Sequence, residues 1–321
     1  MKPLRLLACL AVAAFPLGTA DAQTLSLITT PVGSFSHSAG SALAKVINEK
    51  AKLRAVVQAQ ASTGFEEVES GTAEFNVSNS FDSTFFATGT GEEYQGSGPH
   101  PRLRHVGALI PYRVAMHVRA DSNIRSIADL KGKRVSSGFN AQKTIARIIE
   151  AHLTTGGLSY KDVAQVPAPN VVRQAEDFTS GRVDVLFFAL GSAAIKQAAA
   201  SVGGLRVLAV DDSPANMSRI TSILPGAYTL LVEPSPGIDG IAAPTKLIAF
   251  DMDLNTSDRV SEDVVYRVTK AIYESKQDLV ATFPPFALFD PKHMAKATES
   301  VPFHPGALKF YREIGLLPPR S

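Results

Sequence analysis

Five times in this chain a short polar loop, usually with a glycine, follows an apolar, strand-like run: Gly33-Ser34, Thr63-Gly64, Asn79-Ser80, Ser137-Gly138-Phe139-Asn140 and Gly191-Ser192. A chain that alternates strands with helices in this way builds open α/β sheets. In such sheets ligands bind beyond the carboxyl ends of the strands, where these loops lie.

The strand and helix patterns are explicit. TLSLIT at 24–29 is a strand, and Ala39, Ala42, Leu43, Val46 and Ile47 recur at helical spacing after it. Residues 56–60 and 74–78 give two more strands, separated by a short acidic helix ending at Glu69. After the Gly-rich stretch 89–101, residues 106–118 form a long strand interrupted at Pro111-Tyr112. A short helix at 126–130, a strand at 134–136 and a helix bearing Ile145, Ile148, Ile149 and His152 follow. Asn170 caps a helix with Val171, Val172, Ala175 and Phe178. The run 183–190, broken only by Asp184, fits a strand buried on both faces, and a helix begins after Gly191-Ser192. Strands at 205–210, 228–232 and 245–254, a Ser261-capped helix and a terminal helix at 307–314 complete the pattern.

The two long strands bracket a complete middle block. The expected fold is therefore a two-lobe α/β protein, each lobe an open sheet with flanking helices and the ligand cleft between them. Lobe one is residues 23–112 with 245–321, and lobe two is 113–244.

Residues 1–22 read as a secretory leader: Lys2 and Arg5, an apolar stretch, then Ala20-Asp21-Ala22. The apolar stretch is shorter than the ~20 residues a membrane span needs. Cleavage after Ala22 removes Cys9, the only cysteine, and with it any disulfide or thiol chemistry. The formal net charge of +2 gives no sign of a nucleic-acid partner.

Catalytic and cofactor signatures are missing. There is no G-x-S-x-G elbow and no H-E-x-x-H. His100 and His105 are a weak metal pattern, Gly132-Lys133 lacks the rest of a phosphate loop, and Gly89-x-Gly91 lacks the third glycine of a dinucleotide fingerprint. No catalytic residue, metal or cofactor is expected. What the loops do offer is backbone N–H groups at helix N-termini, which suit carboxylates. The Ser137–Asn140 loop either holds one anionic end of a ligand or is an ordinary tight turn.

Four stretches carry a family resemblance: VRADSNIRSIADLKGKRVSSG at 118–138, SGRVDVLFFALGSAAI at 180–195, SEDVVYRVTKAIYE at 261–274 and VPFHPGALKFYREIGL at 301–316. The chain resembles the TAXI branch of the solute-binding proteins of TRAP transporters, over nearly all of residues 24–317. The resemblance implies a periplasmic receptor whose lobes close on a small carboxylate, such as glutamate or 2-oxoglutarate, and dock on the membrane permease of a transporter driven by an ion gradient. This sequence departs from the family in three loops. PVGSFSH puts Ser36 and His37 near positions usually tyrosine, the segment after Thr63-Gly64 is shorter, and GFNAQKT replaces a Gly-Ser-Gly-Thr type of loop.

The expected site has two halves. Ser34, Ser36, Thr63, Gly64, Asn79 and Ser80 form the first; Ser137, Gly138, Asn140, Thr144 and Gly191 form the second. Phe35, His37, Tyr112 and Phe188 supply the wall. Arg113 is placed to fork onto a carboxylate, and Lys143 is a second candidate cation. Asn140 either contacts the ligand or caps the helix bearing Ile145. Two other functions stay open at this point: a binding protein of an ATP-driven importer for sulfonate-like anions, and a secreted α/β enzyme.

Overall fold

In the computed structural model the described residues are 24–318 without Glu92 and Glu299, so the leader proposed at 1–22 lies outside them. β1 (Thr24–Thr29), β2 (Arg54–Ala59) and β3 (Phe75–Asn79) are joined through α1 (Phe35–Val46) and α2 (Phe65–Ser70). α3 (Ser80–Thr88) leads to β4 (Leu103–Arg119). The middle block holds β5 (Arg134–Ser137), α4 (Thr144–Thr155), β6 (Ala164–Pro167), α5 (Val171–Thr179) and β7 (Leu186–Ala189). It continues through α6 (Ala193–Val202), β8 (Leu205–Leu208), α7 (Pro214–Ile223) and β9 (Tyr228–Val232). β10 (Thr245–Ser257) then returns, followed by α8 (Glu262–Glu274), α9 (Lys276–Thr282) and α10 (Pro305–Glu313).

β4 and β10 are the spine. They pair antiparallel from Ser257↔Leu103 to Ile248↔Val114, with a register shift between Asp251 and Asp253 near Pro111. Proline has no N–H to give to a ladder, so an irregularity there relieves a missing bond. At one end of the spine β3 pairs with residues 252–256 of β10, and β1 and β2 extend the sheet in parallel. At the other end β9 pairs with residues 245–249 of β10, while β7 and β8 pair with β4 beyond Val114. β5 and β6 form a separate parallel pair. The result is mixed α/β, with two groups of strands sharing two long ones.

Local signals explain most elements. Asn170 accepts from the Arg173 N–H and Ser261 from the Val264 N–H, both as N-caps. α3 is the exception: SFDSTFFAT has few strong helix formers. Tertiary packing decides it. Phe81, Phe85 and Phe86 are buried, with Phe81 edge-on to Phe250 at 4.8 Å and Phe86 stacked on Phe65 at 5.0 Å. Each such side chain contributes about 1.5–3 kcal/mol on burial, enough to outweigh weak propensity. Among the described residues no helix is long and apolar enough to cross a membrane.

Candidate functional site

Three helices begin at one cavity. α1 enters behind β1, α3 behind β3, and α4 behind the loop after β5. Their first turns place Ser34, Phe35 and Ser36, then Asn79, then Gln142, Thr144 and Ile145 on the cavity wall. β4 adds Tyr112 and Val114, β10 adds Phe250, and β7 adds Phe187, Phe188 and Ala189. The space open to the centre of a water molecule is about 50 Å³, and the hollow including its mouth is about 590 Å³. An aromatic wall with a few placed polar groups is the usual make-up of a small-ligand pocket.

Three hydroxyls form the polar corner. Thr30 Oγ1 donates to Ser34 Oγ at 2.9 Å, lies 2.5 Å from Ser36 Oγ, and the two serine oxygens are 3.3 Å apart. Backbone donors fix them: the His37 N–H reaches Ser34 Oγ at 3.2 Å and the Thr30 N–H reaches Ser36 Oγ at 3.2 Å. Ser34 is also the N-cap of α1. Asn79 is the N-cap residue of α3, yet its side chain makes no capping bond and no other hydrogen bond to a described residue. The aromatic wall is tied together, with Phe35 4.8 Å from Tyr112 and 4.9 Å from Phe283.

A polar string runs behind the cavity. Thr144 Oγ1 donates to Asp82 Oδ2 at 3.2 Å and Tyr94 Oη to Asp82 Oδ1 at 2.8 Å. Asp82 is fully buried without a cation, so desolvation raises its pKa to about 7. Beside it Arg147 Nε pairs with Glu93 Oε1 at 2.5 Å, and its guanidinium sits 4.9 Å over the Phe85 ring. These contacts join α4 to α3 and to the loop that follows it.

The expected residues separate into groups. Ser34, Phe35, Ser36, Thr63, Asn79, Tyr112, Thr144 and Phe188 meet at the cavity. Gly64, Asn140 and Lys143 lie in a neighbouring hollow with Glu66, Glu67 and Glu93. Ser80 faces a third hollow beside Asp251 and Lys296. His37 is off the cavity, its Nδ1 3.2 Å from Thr29 Oγ1, and burial lowers its pKa. Arg113 and Gly191 line a separate groove with Lys196, Pro284 and Leu288.

Strand alternation explains Arg113: Tyr112 and Val114 point into the cavity, so the residue between them points away. Its guanidinium makes no ion pair or hydrogen bond with any described residue, Glu233 included. Ser137 and Gly138 stay with the β5–β6 pair, where Ser137 O accepts from the Ala168 N–H at 2.9 Å. The chain then turns through buried Phe139, whose carbonyl accepts from the Gln142 N–H at 3.0 Å. Gln142, rather than Asn140, therefore reaches the cavity, and the α4 N-cap is Lys143, without a side-chain bond.

Sequence reasoning missed Thr30, Ser78, Gln142, Ile148, Phe187 and Phe250. Thr30 and Gln142 lay within reach of a simple signal, because Thr30 adjoins the PVGSFSH loop and Gln142 lies within GFNAQKT.

The chain matches the NMT1-like family over residues 27–315. Among solved structures it is similar to one described as a periplasmic transporter, at 13% identity and TM-score 0.56, with 92% of this chain and 93% of that one covered. It is similar to an R. palustris protein solved with adipate, at 14% identity and TM-score 0.55, with 91% and 92% covered. A third is the alkanesulfonate-binding protein of Xanthomonas axonopodis pv. citri bound to MOPS, at 16% identity and TM-score 0.51, with 93% and 95% covered. At these identities the likeness shows the fold, that of a two-lobe periplasmic binding protein. The Xanthomonas neighbour is described as a binding protein rather than as an enzyme.

Proposed function

The chain belongs to the NMT1-like family, and from that premise we propose that it is the periplasmic solute receptor of a TAXI-type TRAP transporter, taking up a small organic acid. The observation that carries this reading is the convergence of the α1, α3 and α4 N-termini, with free or freeable donors, on one cavity walled by aromatics. Helix N-termini carry about half a positive charge each, so they balance an acid without a buried cation. In this reading residues 23–112 with 245–321 form one lobe and 113–244 the other, with one crossing inside β4 and the other at the start of β10. The ligand bridges both lobes and binding favours the closed form. Thr144–Asp82 and Arg147–Glu93 then act as contacts of that closed form.

The second reading is a receptor for an ATP-driven importer of sulfonate-like anions, which the fold of the alkanesulfonate-binding neighbour favours. Uptake assays separate the two. Import through a TRAP permease stops when ionophores collapse the ion gradient and survives ATP depletion; import through an ATP-driven permease shows the reverse. The receptor reading itself is tested by titrating the purified chain with carboxylates in a calorimeter: saturable binding without turnover supports it, and product formation would overturn it.

A further inference from the structure

We infer that the solute is a short monoanion without an ammonium group: one acid headgroup on a compact apolar body. This rests on reading the cavity as the solute site, and it goes further by naming what the cavity excludes.

The lining contains no Asp, Glu, Lys, Arg or His. An ammonium group drawn into such a place loses its water and gains no counter-charge, which costs far more than hydroxyl contacts return. Asp82 does not help, because it lies behind the wall with both oxygens held by Tyr94 and Thr144. A zwitterionic amino acid is thus disfavoured by the same cavity that accepts its carboxylate.

The hydroxyl corner supplies a donor. Ser34 Oγ accepts from Thr30 and from the His37 N–H, which uses both its lone pairs. Among the described residues its own proton has only Ser36 Oγ as an acceptor, at 3.3 Å. A ligand carboxylate competes well for that proton, since charge-assisted hydrogen bonds are shorter and stronger. Asn79 adds an unpaired side-chain amide at the N-terminus of α3. Together these suit one anionic headgroup.

A second anionic end finds fewer free donors, chiefly the amide nitrogen of Gln142, and little room. Ser78 is engaged with Ser83 and Asn255, Thr144 donates to Asp82, and the Gln142 side-chain oxygen takes the Val171 N–H. Apart from Thr63 and Tyr112, the remaining wall is mostly apolar, with Ile148, Phe187 and Phe250. The cavity's 50 Å³ of water-centre space corresponds to roughly four waters at ~10–15 Å³ each. That suits a body of a few carbons.

The test is calorimetric titration of the purified chain with butyrate, succinate, glutamate and butanesulfonate. Butyrate should bind at least about tenfold more tightly than succinate or glutamate, the loss expected when a charged group is buried without its partner. Preference for glutamate or succinate would overturn the monoanion inference while leaving the carboxylate receptor intact. Preference for butanesulfonate would uphold the monoanion inference and overturn the carboxylate reading. Binding of no acid would overturn both.

Asn79→Asp supplies an independent arm. Aspartate is a good N-cap, so the ligand-free variant should keep its melting temperature, while butyrate affinity should fall at least about tenfold. Unchanged affinity in that folded variant would remove Asn79 from the headgroup site and overturn the proposed donor arrangement.

Discussion

Tyr112 and Arg113 are neighbours on β4 and look into different hollows. The Tyr112 side is narrow, aromatic and free of formal charge. The Arg113 side is a groove with about 550 Å³ of water-centre space and two cations, Arg113 and Lys196. Charge alone points to the groove as the place for an acid. Geometry points to the cavity, where donors are buried, oriented and enclosed, so that each interaction works in a low dielectric. On the proposed reading, the anion site is built from hydroxyls, amides and helix ends, and the arginine faces a different hollow.

The largest expected contrast between the two regions is in packing. Phe250 is fully buried, edge-on to Phe81 and stacked with Tyr112 at 5.6 Å. Phe250→Ala should lower unfolding free energy by about 3–5 kcal/mol, measured by urea titration. Leu288 in the groove is 42% exposed, so Leu288→Ala should cost well under that. Equal losses would break the contrast.

Next comes the string behind the cavity. Thr144→Val keeps the shape but leaves Asp82 Oδ2 without its hydroxyl donor. A buried acceptor left unsatisfied costs about 1–3 kcal/mol, and the same denaturation assay reads it. A change within error would mean that the Thr144–Asp82 bond contributes nothing.

Acidity sharpens the picture. Burial raises Asp82 from 3.8 to about 7, so the native state keeps a proton that the unfolded chain loses in that window. Its contribution to stability is therefore fully present below about pH 4 and declines as pH rises to about 7. Burial lowers His105 and His117 from 6.5 to about 4, so their contribution declines as pH falls through that range. Asp82→Asn removes only the first trend. Between pH 4 and 7 its stability should rise with pH more steeply than that of the unmodified chain, and parallel curves would contradict the assignment.

The smallest effect is expected at Arg113. It is unpaired, so Arg113→Gln should change stability by no more than about 0.5 kcal/mol and leave acid affinity unaltered in a calorimetric titration. A marked loss of affinity would move the acid to the groove.

Much of the fold was legible because strands and helices leave short-range periodicities. The β1, β9 and α4 positions follow from runs such as TLSLIT and from Ile145, Ile148 and Ile149. α3 was not legible, because its helix rests on Phe81 meeting Phe250 from the far end of the chain. The cavity was half legible for the same reason. Strand-end loops announced Ser34, Thr63 and Asn79, but Phe250 reaches Tyr112 only through the β10–β4 register, which no local pattern encodes. In the Ser137–Asn140 loop the glycine, with φ +80°, lies against Pro167, and the residues that line the cavity, Gln142 and Thr144, come a few positions later.

The most direct measurement is a crystal structure of the chain with a bromine-labelled short-chain acid, located by anomalous scattering. The bromine should appear among Ile148, Phe187 and Phe250, with the carboxylate on Ser34 and Asn79. A bromine peak beside Arg113 and Lys196, with the cavity empty, would contradict the placement of the solute site.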